Sequence, residues 1–375
     1  MQKPSPALSG SVRFYANALG IFIVSRLIVV AAVRFGTLLT FDQTHKWYGG
    51  DAWYYRLARW DTGWYATIVD QGYRYSSSPT DQGSVNFFPL YPLSASAVKA
   101  IFGVDSLVAL LIVANISSIF AVLLLAKLAK SELGEQTATI AVTFFCLYPS
   151  SIFLSAGYSE PLCLTFVLLA LVAMAQERFA LSAIAAGIAT AARHTSIVLL
   201  PVMLVEIWRA SRPFSIRSLP KIAICALLAT SGLLAYMTYL WINFDAPLAF
   251  IDAQRGWSHG TISDRLVAAA TLRPFRVGEL RNISEFLAFF VLSLVSFRCL
   301  RLSLALYGLA VVLMAYCLDG ISPSSGRYLL MCVPAFMCIA SICEKRTWLI
   351  TPTAALGAAL LFRKAALFSQ WHWEG

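Results

Sequence analysis

The amino-acid sequence predicts an all-α polytopic membrane protein, a single domain over residues 1–375 with about 11 transmembrane helices. Three observations carry that prediction. Apolar residues make up 59% of the chain and charged residues only 13%, with a mean hydropathy of +0.70, far from the soluble globular norm. The apolar residues fall in segments close to the roughly 20 residues that cross a bilayer. Lysine and arginine gather in alternate connections, as the positive-inside rule requires. That rule accounts for much of the net charge of +10, and no basic motif with interleaved aromatics accompanies it, so nucleic acid is not an expected partner.

Lys3 and Arg13 precede an apolar run over residues 14–39, long enough to be the first span and too long for a signal-peptide core. With the N-terminus in the cytoplasm, loop 40–104 is extracytoplasmic, and its five basic and five acidic residues suit that side. Within it, residues 87–103 are read as lying in the interface. If they crossed, Lys127 and Lys130 would end up outside; the interfacial reading puts both inside with Arg178, Arg209, Arg212, Arg217 and Lys221. Spans follow at 105–128, 137–154 and 161–175. Residues 179–208 are too long for one ordinary span and carry Arg193 and His194 at their middle, so they split into two short helices meeting at that pair. A span at 222–241, an extracytoplasmic loop over 244–282 and spans at 283–297, 302–318, 327–342 and 348–362 complete the map, with Arg298, Arg301, Lys345 and Arg346 marking cytoplasmic turns. The loop near 244–282 holds five arginines against four acids, which admits either a local anionic ligand or lipid headgroup contact. The eight cysteines lie almost all in apolar runs without CxxC spacing and are read as packing residues.

The stretch over residues 59–92, RWDTGWYATIVDQGYRYSSSPTDQGSVNFFPLYP, is polar and aromatic where the rest is apolar. Read as one helix, residues 53–68 place Trp53, Leu57, Trp60, Trp64 and Ile68 on a narrow stripe, the pattern of a helix lying in the membrane surface. Asp61 falls beside that stripe. Partial desolvation there raises a carboxyl pKa and makes a better proton acceptor; the alternative is a solvated acid paired with Arg59 or Arg56. Glu160, in YPSSIFLSAGYSEP, is either a site acid or an acid favoured by the dipole of the helix that follows. Arg193 and His194, between apolar helices, need an anionic partner or a water-filled cavity, and a lipid phosphate would serve both; the alternative for His194, and the commoner one for a lone His, is a neutral, hydrogen-bonded residue. Arg327, after an SPSSG turn, is a second phosphate candidate or a topology marker. Asp61, Glu160, Arg193, His194 and Arg327 all map to one side of the membrane. No GxxxxGK[ST], HExxH or glycine-rich nucleotide loop appears, so an enzyme working there would use an already activated, membrane-carried substrate.

RWDTGWYATIVDQGY followed by NFFPLYPL resembles the RWD…GY…FFPLYP signature of the PIG-V-like mannosyltransferases, which include shorter bacterial relatives. YPSSIFLSAGYSE, ATAARHTSIVLLP, IDAQRGW and GRYLLMCVPAF resemble further segments of that family, in the same order. The resemblance implies a GT-C type membrane glycosyltransferase. It would act by inversion, moving a sugar, mannose by family, from a polyprenyl- or dolichyl-phosphate donor to a lipid or glycan hydroxyl at the extracytoplasmic or lumenal face. It implies Asp61 as catalytic base or acceptor-positioning group, and Arg193 and Arg327 toward the donor phosphate, where His194 is expected by its place beside Arg193. Trp60, Glu160, Gln254 and Trp257 are expected at the acceptor or sugar. No cofactor and no divalent metal is expected, since the phosphate leaves already ionised. The short, bacterial-like length suggests a bacterial cytoplasmic membrane with the site outside, the endoplasmic reticulum being the alternative. His194 stands where the family usually has Pro, and Gly157 and Ser159 where Pro and Thr are common; these departures bear on the acceptor. The competing classes are a polyisoprenoid-lipid flippase, which would carry polar groups through the whole bilayer depth, and a non-catalytic subunit.

Overall fold

The computed structural model describes residues 6–38, 50–76, 83–211, 219–255, 277–319, 322 and 324–373, and the regular structure among them is helical. Helix α1 (Pro6–Gly36) leads to a 3-10 turn (Trp53–Leu57), α2 (Asp61–Gln71), a second such turn (Ser84–Asn86) and α3 (Leu90–Phe102). Then come α4 (Ser106–Leu133), α5 (Glu135–Leu147), the turn Pro149–Leu154, α6 (Glu160–Ala175), α7 (Phe179–Ala192), the turn His194–Val198 and α8 (Leu199–Ala210). The series ends with α9 (Leu219–Phe244), α10 (Ala249–Arg255), α11 (Val277–Cys299), α12 (Leu302–Asp319), α13 (Ser325–Leu329), α14 (Val333–Glu344) and α15 (Ile350–Ser369).

Among the described residues, four helices are long and apolar enough to cross a membrane unaided: Gly10–Gly36, Ser106–Leu133, Leu219–Phe244 and Leu280–Cys299. Their outward faces carry Ile23, Val24 and Leu27, Ile224, Leu227 and Ile242, and Leu287 and Val291, all exposed. So much bare apolar surface is stable against lipid and not against water. The other expected crossings are shorter or interrupted. The span expected over 137–154 breaks at Tyr148, because Pro149 disfavours helical backbone at the residue before it and Tyr148 is extended (φ −58°, ψ 137°). The span expected over 327–342 breaks likewise, into α13 and α14, with Pro334 at the start of the second helix. The split expected at Arg193 and His194 is present, as α7, a 3-10 turn and α8. Helix α3, within the 87–103 segment read as interfacial, has 13 residues and so spans only ~20 Å, short of the ~30 Å hydrocarbon core.

Small residues bring α7 and α9 into close contact. A Cβ on Gly187 of α7 would overlap the Leu228 carbonyl of α9, and one on Gly232 would overlap the Gly187 carbonyl, so these helices touch backbone to backbone. The cysteines are free, and most are buried, as packing residues are. At one end of the bundle Arg301, between α11 and α12, pairs with Glu132 of α4 at 2.5 Å and donates to the Ala175 carbonyl of α6 at 3.2 Å. These are ends that charge placement puts in the cytoplasm. The polar cluster described next lies at the other end.

Candidate active site

The single interfacial helix expected over residues 53–68 does not form. It breaks at Trp60, whose φ of 54° and ψ of −116° lie outside the helical region. A bulky residue at positive φ costs on the order of 1–3 kcal/mol and persists only where its surroundings hold it. Here the rings of Trp371 and Trp373, at 5.7 and 5.2 Å between centroids, hold it edge to face. The break makes Asp61 the first residue of α2, where the positive end of the helix dipole favours a carboxylate. Glu160 opens α6 in the same way.

Asp61 does not face an apolar stripe. Its Oδ2 accepts from Nη1 of Arg327, which α13 brings in from 266 residues away, and both side chains are largely buried. Arg327 Nε lies 3.3 Å from Glu160 Oε1, and the same oxygen accepts from Arg193 Nη1 at 2.7 Å. Glu160 is only 1% exposed, so the two guanidinium groups supply the compensation that a buried carboxylate requires. Glu160 Oε2 has no hydrogen-bond partner among the described residues. Arg193 also donates to Ser159 Oγ (3.2 Å), which accepts from Tyr65 Oη (2.8 Å). Tyr328 lies under both guanidinium groups, 5.5 Å from each, and Tyr158 under that of Arg327 at 5.4 Å. The structure thus gathers Asp61, Glu160, Arg193 and Arg327 into one buried cluster of two acids and two bases.

His194 is turned elsewhere. Its ring packs near Phe88 (5.4 Å) and Phe250 (6.0 Å), and burial, helped by the neighbouring Arg193 charge, pushes its pKa down to about 4, so it is neutral near pH 7. Trp60 is in the site, against Trp371 and Trp373. Gln254 lies in the last turn of α10, with its side chain outside the described residues, and Trp257 falls wholly outside them.

Several supporting residues went unnoticed in the sequence. Arg26 of α1 donates to Ser151 O (2.7 Å), Ser151 Oγ (3.0 Å), Ser155 Oγ (3.1 Å) and Cys146 O (3.3 Å), fixing the turn that leads to Glu160. Lys364 donates to Ser150 Oγ at 2.9 Å, and Tyr148 Oη donates to Glu285 Oε1 at 2.7 Å, beside Gly326. A cation in the middle of an apolar run is the signal that marks Arg26 and Lys364. The WHW triplet, residues 371–373, marks the aromatic cover: Trp373 faces Arg327 at 5.6 Å and Trp371 faces Arg59 at 4.6 Å.

The helical bundle has the GT-C fold by its likeness to solved structures. It is similar to the Archaeoglobus fulgidus oligosaccharyltransferase tethered to an acceptor peptide, with a TM-score of 0.53 and 13% identity over 94% of this chain and 55% of that one. It is also similar to ArnT from Cupriavidus metallidurans bound to undecaprenyl phosphate, with a TM-score of 0.52 and 13% identity over 97% and 76% of the two chains. At such identities the likeness is one of fold.

Residues 49–238, about half of the chain, match the Mannosyltransferase (PIG-V) family, and the chain belongs to that family. The human GPI alpha-1,6-mannosyltransferase 2 is 32% identical over 130 residues, 32% of this chain and 24% of that protein. Its rat counterpart is 34% identical over 132 residues, 32% of this chain and 25% of that protein. The alignments thus span about a quarter of those relatives.

Proposed function

We propose that the protein is an inverting glycosyltransferase that moves a sugar, mannose by family, from a polyprenyl- or dolichyl-phosphate donor to a lipid or glycan hydroxyl. The observation that carries this reading is Asp61 at the head of α2, ion-paired with Arg327 and joined through Glu160 to Arg193. Asp61 accepts the proton of the acceptor hydroxyl as its oxygen bonds to the anomeric carbon. The bond from that carbon to the phosphate oxygen breaks, and the phosphate departs with the electron pair. Arg327 fixes Asp61 in direction, and Arg193 and Arg327 face the departing phosphate; base catalysis of this kind is worth about 10²–10⁴ in rate. Glu160 Oε2, lacking a protein partner among the described residues, is the acceptor for a sugar or acceptor hydroxyl. Trp60 offers an aromatic face to the same substrate, and Gln254 and Trp257 are carried as acceptor-side residues by family resemblance alone. The phosphate leaves already ionised, so the reading uses no cofactor and no divalent metal.

The site is assigned to the extracytoplasmic face of a bacterial cytoplasmic membrane, or to the lumenal face of the endoplasmic reticulum. Charge placement supports the outer side, since the Arg301–Glu132 end carries the basic turns. The gathering of buried charge toward one end favours transfer over flipping. The test is Asp61→Asn in proteoliposomes containing polyprenyl-phosphate mannose. Transfer should nearly vanish while the protein stays folded, and wild-type turnover would remove Asp61 as the base.

A further inference from the structure

The buried cations of this end fall into two kinds. Arg26 is satisfied by four hydrogen bonds, Lys364 donates to Ser150, Arg193 pairs with Glu160, and Arg327 with Asp61 and Glu160. Arg59 is different. It is 9% exposed, it makes no ion pair with any described residue, and its Nε is shut away from solvent without a hydrogen-bond partner. The face of Trp371 lies 4.6 Å from its guanidinium carbon. Burial, with the like charge of Arg56, lowers its pKa to about 10 instead of the increase a carboxylate neighbour would give. A guanidinium largely withdrawn from water, its Nε shut away and no anion beside it, is costly, so its surroundings are built for a partner that comes from elsewhere.

Charge balance indicates which partner. In the central cluster Arg193 and Arg327 are matched by Asp61 and Glu160, so that group is neutral before any substrate arrives. Arg59, two residues from Asp61, is the adjoining cation left over. It is connected to the cluster through aromatic rings: Arg59 on Trp371, Trp371 on Trp60, Trp60 on Trp373, and Trp373 under Arg327.

We infer that Arg59 binds the phosphate of the lipid-linked substrate, an inference that rests on the glycosyl-transfer reading above for the source of that phosphate. A guanidinium presents Nε–H and Nη–H in the fork that matches two phosphate oxygens. When the bond from the anomeric carbon to the phosphate oxygen breaks, the phosphodiester, with one negative charge, becomes a phosphomonoester bearing up to two. A cation not already committed to a protein carboxylate stabilises that added charge best.

The test is a titration of the full-length protein in nanodiscs, read by native mass spectrometry. Undecaprenyl phosphate and phosphatidylglycerol are added separately to the wild type, Arg59→Gln and Arg59→Lys, with mannosyl transfer measured on the same preparations. Loss of a charge-assisted hydrogen bond predicts that Arg59→Gln weakens undecaprenyl phosphate binding about 10–100-fold and that Arg59→Lys recovers part of it, with phosphatidylglycerol unaffected. Undiminished undecaprenyl phosphate binding in a folded Arg59→Gln protein that still transfers mannose would overturn the inference and leave the reaction standing. Loss confined to phosphatidylglycerol would overturn it in favour of a bulk headgroup contact. Arg59-dependent undecaprenyl phosphate binding by a wild type that transfers no sugar would support the phosphate site and remove the proposed reaction. A wild type that binds neither lipid would overturn both.

Discussion

Glu160→Gln and Asp61→Asn should separate stability from chemistry in opposite senses. Glu160 is almost fully buried, and one of its oxygens serves two guanidinium groups, Arg193 at 2.7 Å and Arg327 at 3.3 Å. Glutamine keeps the shape but removes the charge. Arg193 then has no carboxylate, and the cluster passes from neutral to one net positive charge. Removing one partner of a buried pair costs ~3–5 kcal/mol, because the other charge stays buried and uncompensated. Asp61→Asn leaves Arg327 with Glu160, so its structural cost should be smaller, ~1–3 kcal/mol. Catalysis should rank the other way. Loss of the base lowers turnover by about 10²–10⁴, while Glu160→Gln retains more of it once the protein is folded. Denaturant titration in detergent and transfer in proteoliposomes give the two axes. The double variant Glu160→Gln with Arg193→Gln should regain part of the lost stability, since neither member of that pair is then left charged. A Glu160→Gln protein as stable as the wild type, or less damaged in stability than Asp61→Asn, would refute the claim that Glu160 is what holds the two arginines together.

Two further outcomes follow from particular contacts. A Cβ on Gly157 would overlap Thr62, the residue after Asp61, so Gly157→Ala should displace the head of α2 and lower transfer by about tenfold, and a second change, Thr62→Ser, should restore part of it; an active, unaltered Gly157→Ala enzyme would show that α2 yields freely. For Asp70, burial raises the carboxyl, but hydrogen bonds from Lys99 and Ser106 outweigh it and hold the group below its ordinary 3.8. The lowered folded pKa makes this contribution present above the unfolded value and lost as pH falls through the folded one. Melting temperatures measured from about pH 5 down to about pH 3 should therefore fall less steeply in Asp70→Asn than in the wild type, and equal slopes would refute the linkage.

The end of the bundle that carries the site was legible because charge placement alone assigns Asp61, Glu160, Arg193 and Arg327 to one side of the membrane. The pairings were not. Hydropathy gives the depth of a residue along its helix and nothing of which helix stands opposite, so Arg327 could be read as a phosphate ligand but not as the partner of Asp61. The helix expected over 53–68 failed for a related reason. A 3.6-residue period runs unbroken through Trp60, and what interrupts it, the rings of Trp371 and Trp373, lies more than 300 residues further along the chain. Arg59 was legible only as an ordinary partner for Asp61. Its isolation becomes evident once Arg327 is seen to hold that place.

The four charged residues of the cluster share a local property: each stands at an interruption of helix. Asp61 follows the break at Trp60, Glu160 opens α6 after the Pro149–Leu154 turn, Arg193 separates α7 from a 3-10 turn, and Arg327 sits in the five-residue α13. Inside a membrane protein such breaks are tolerated only where the freed backbone groups find partners. Arg26 supplies them at the Pro149–Leu154 turn, taking the Cys146 and Ser151 carbonyls. Two of the breaks also expose helix N-termini, which stabilise Asp61 and Glu160, and these acids in turn hold the arginines. Interrupting a helix and burying a charge are each unfavourable in a bilayer, and here each supplies what the other lacks. By that logic Arg59, at the same break as Asp61, is the member of the set whose counter-charge the described residues do not contain.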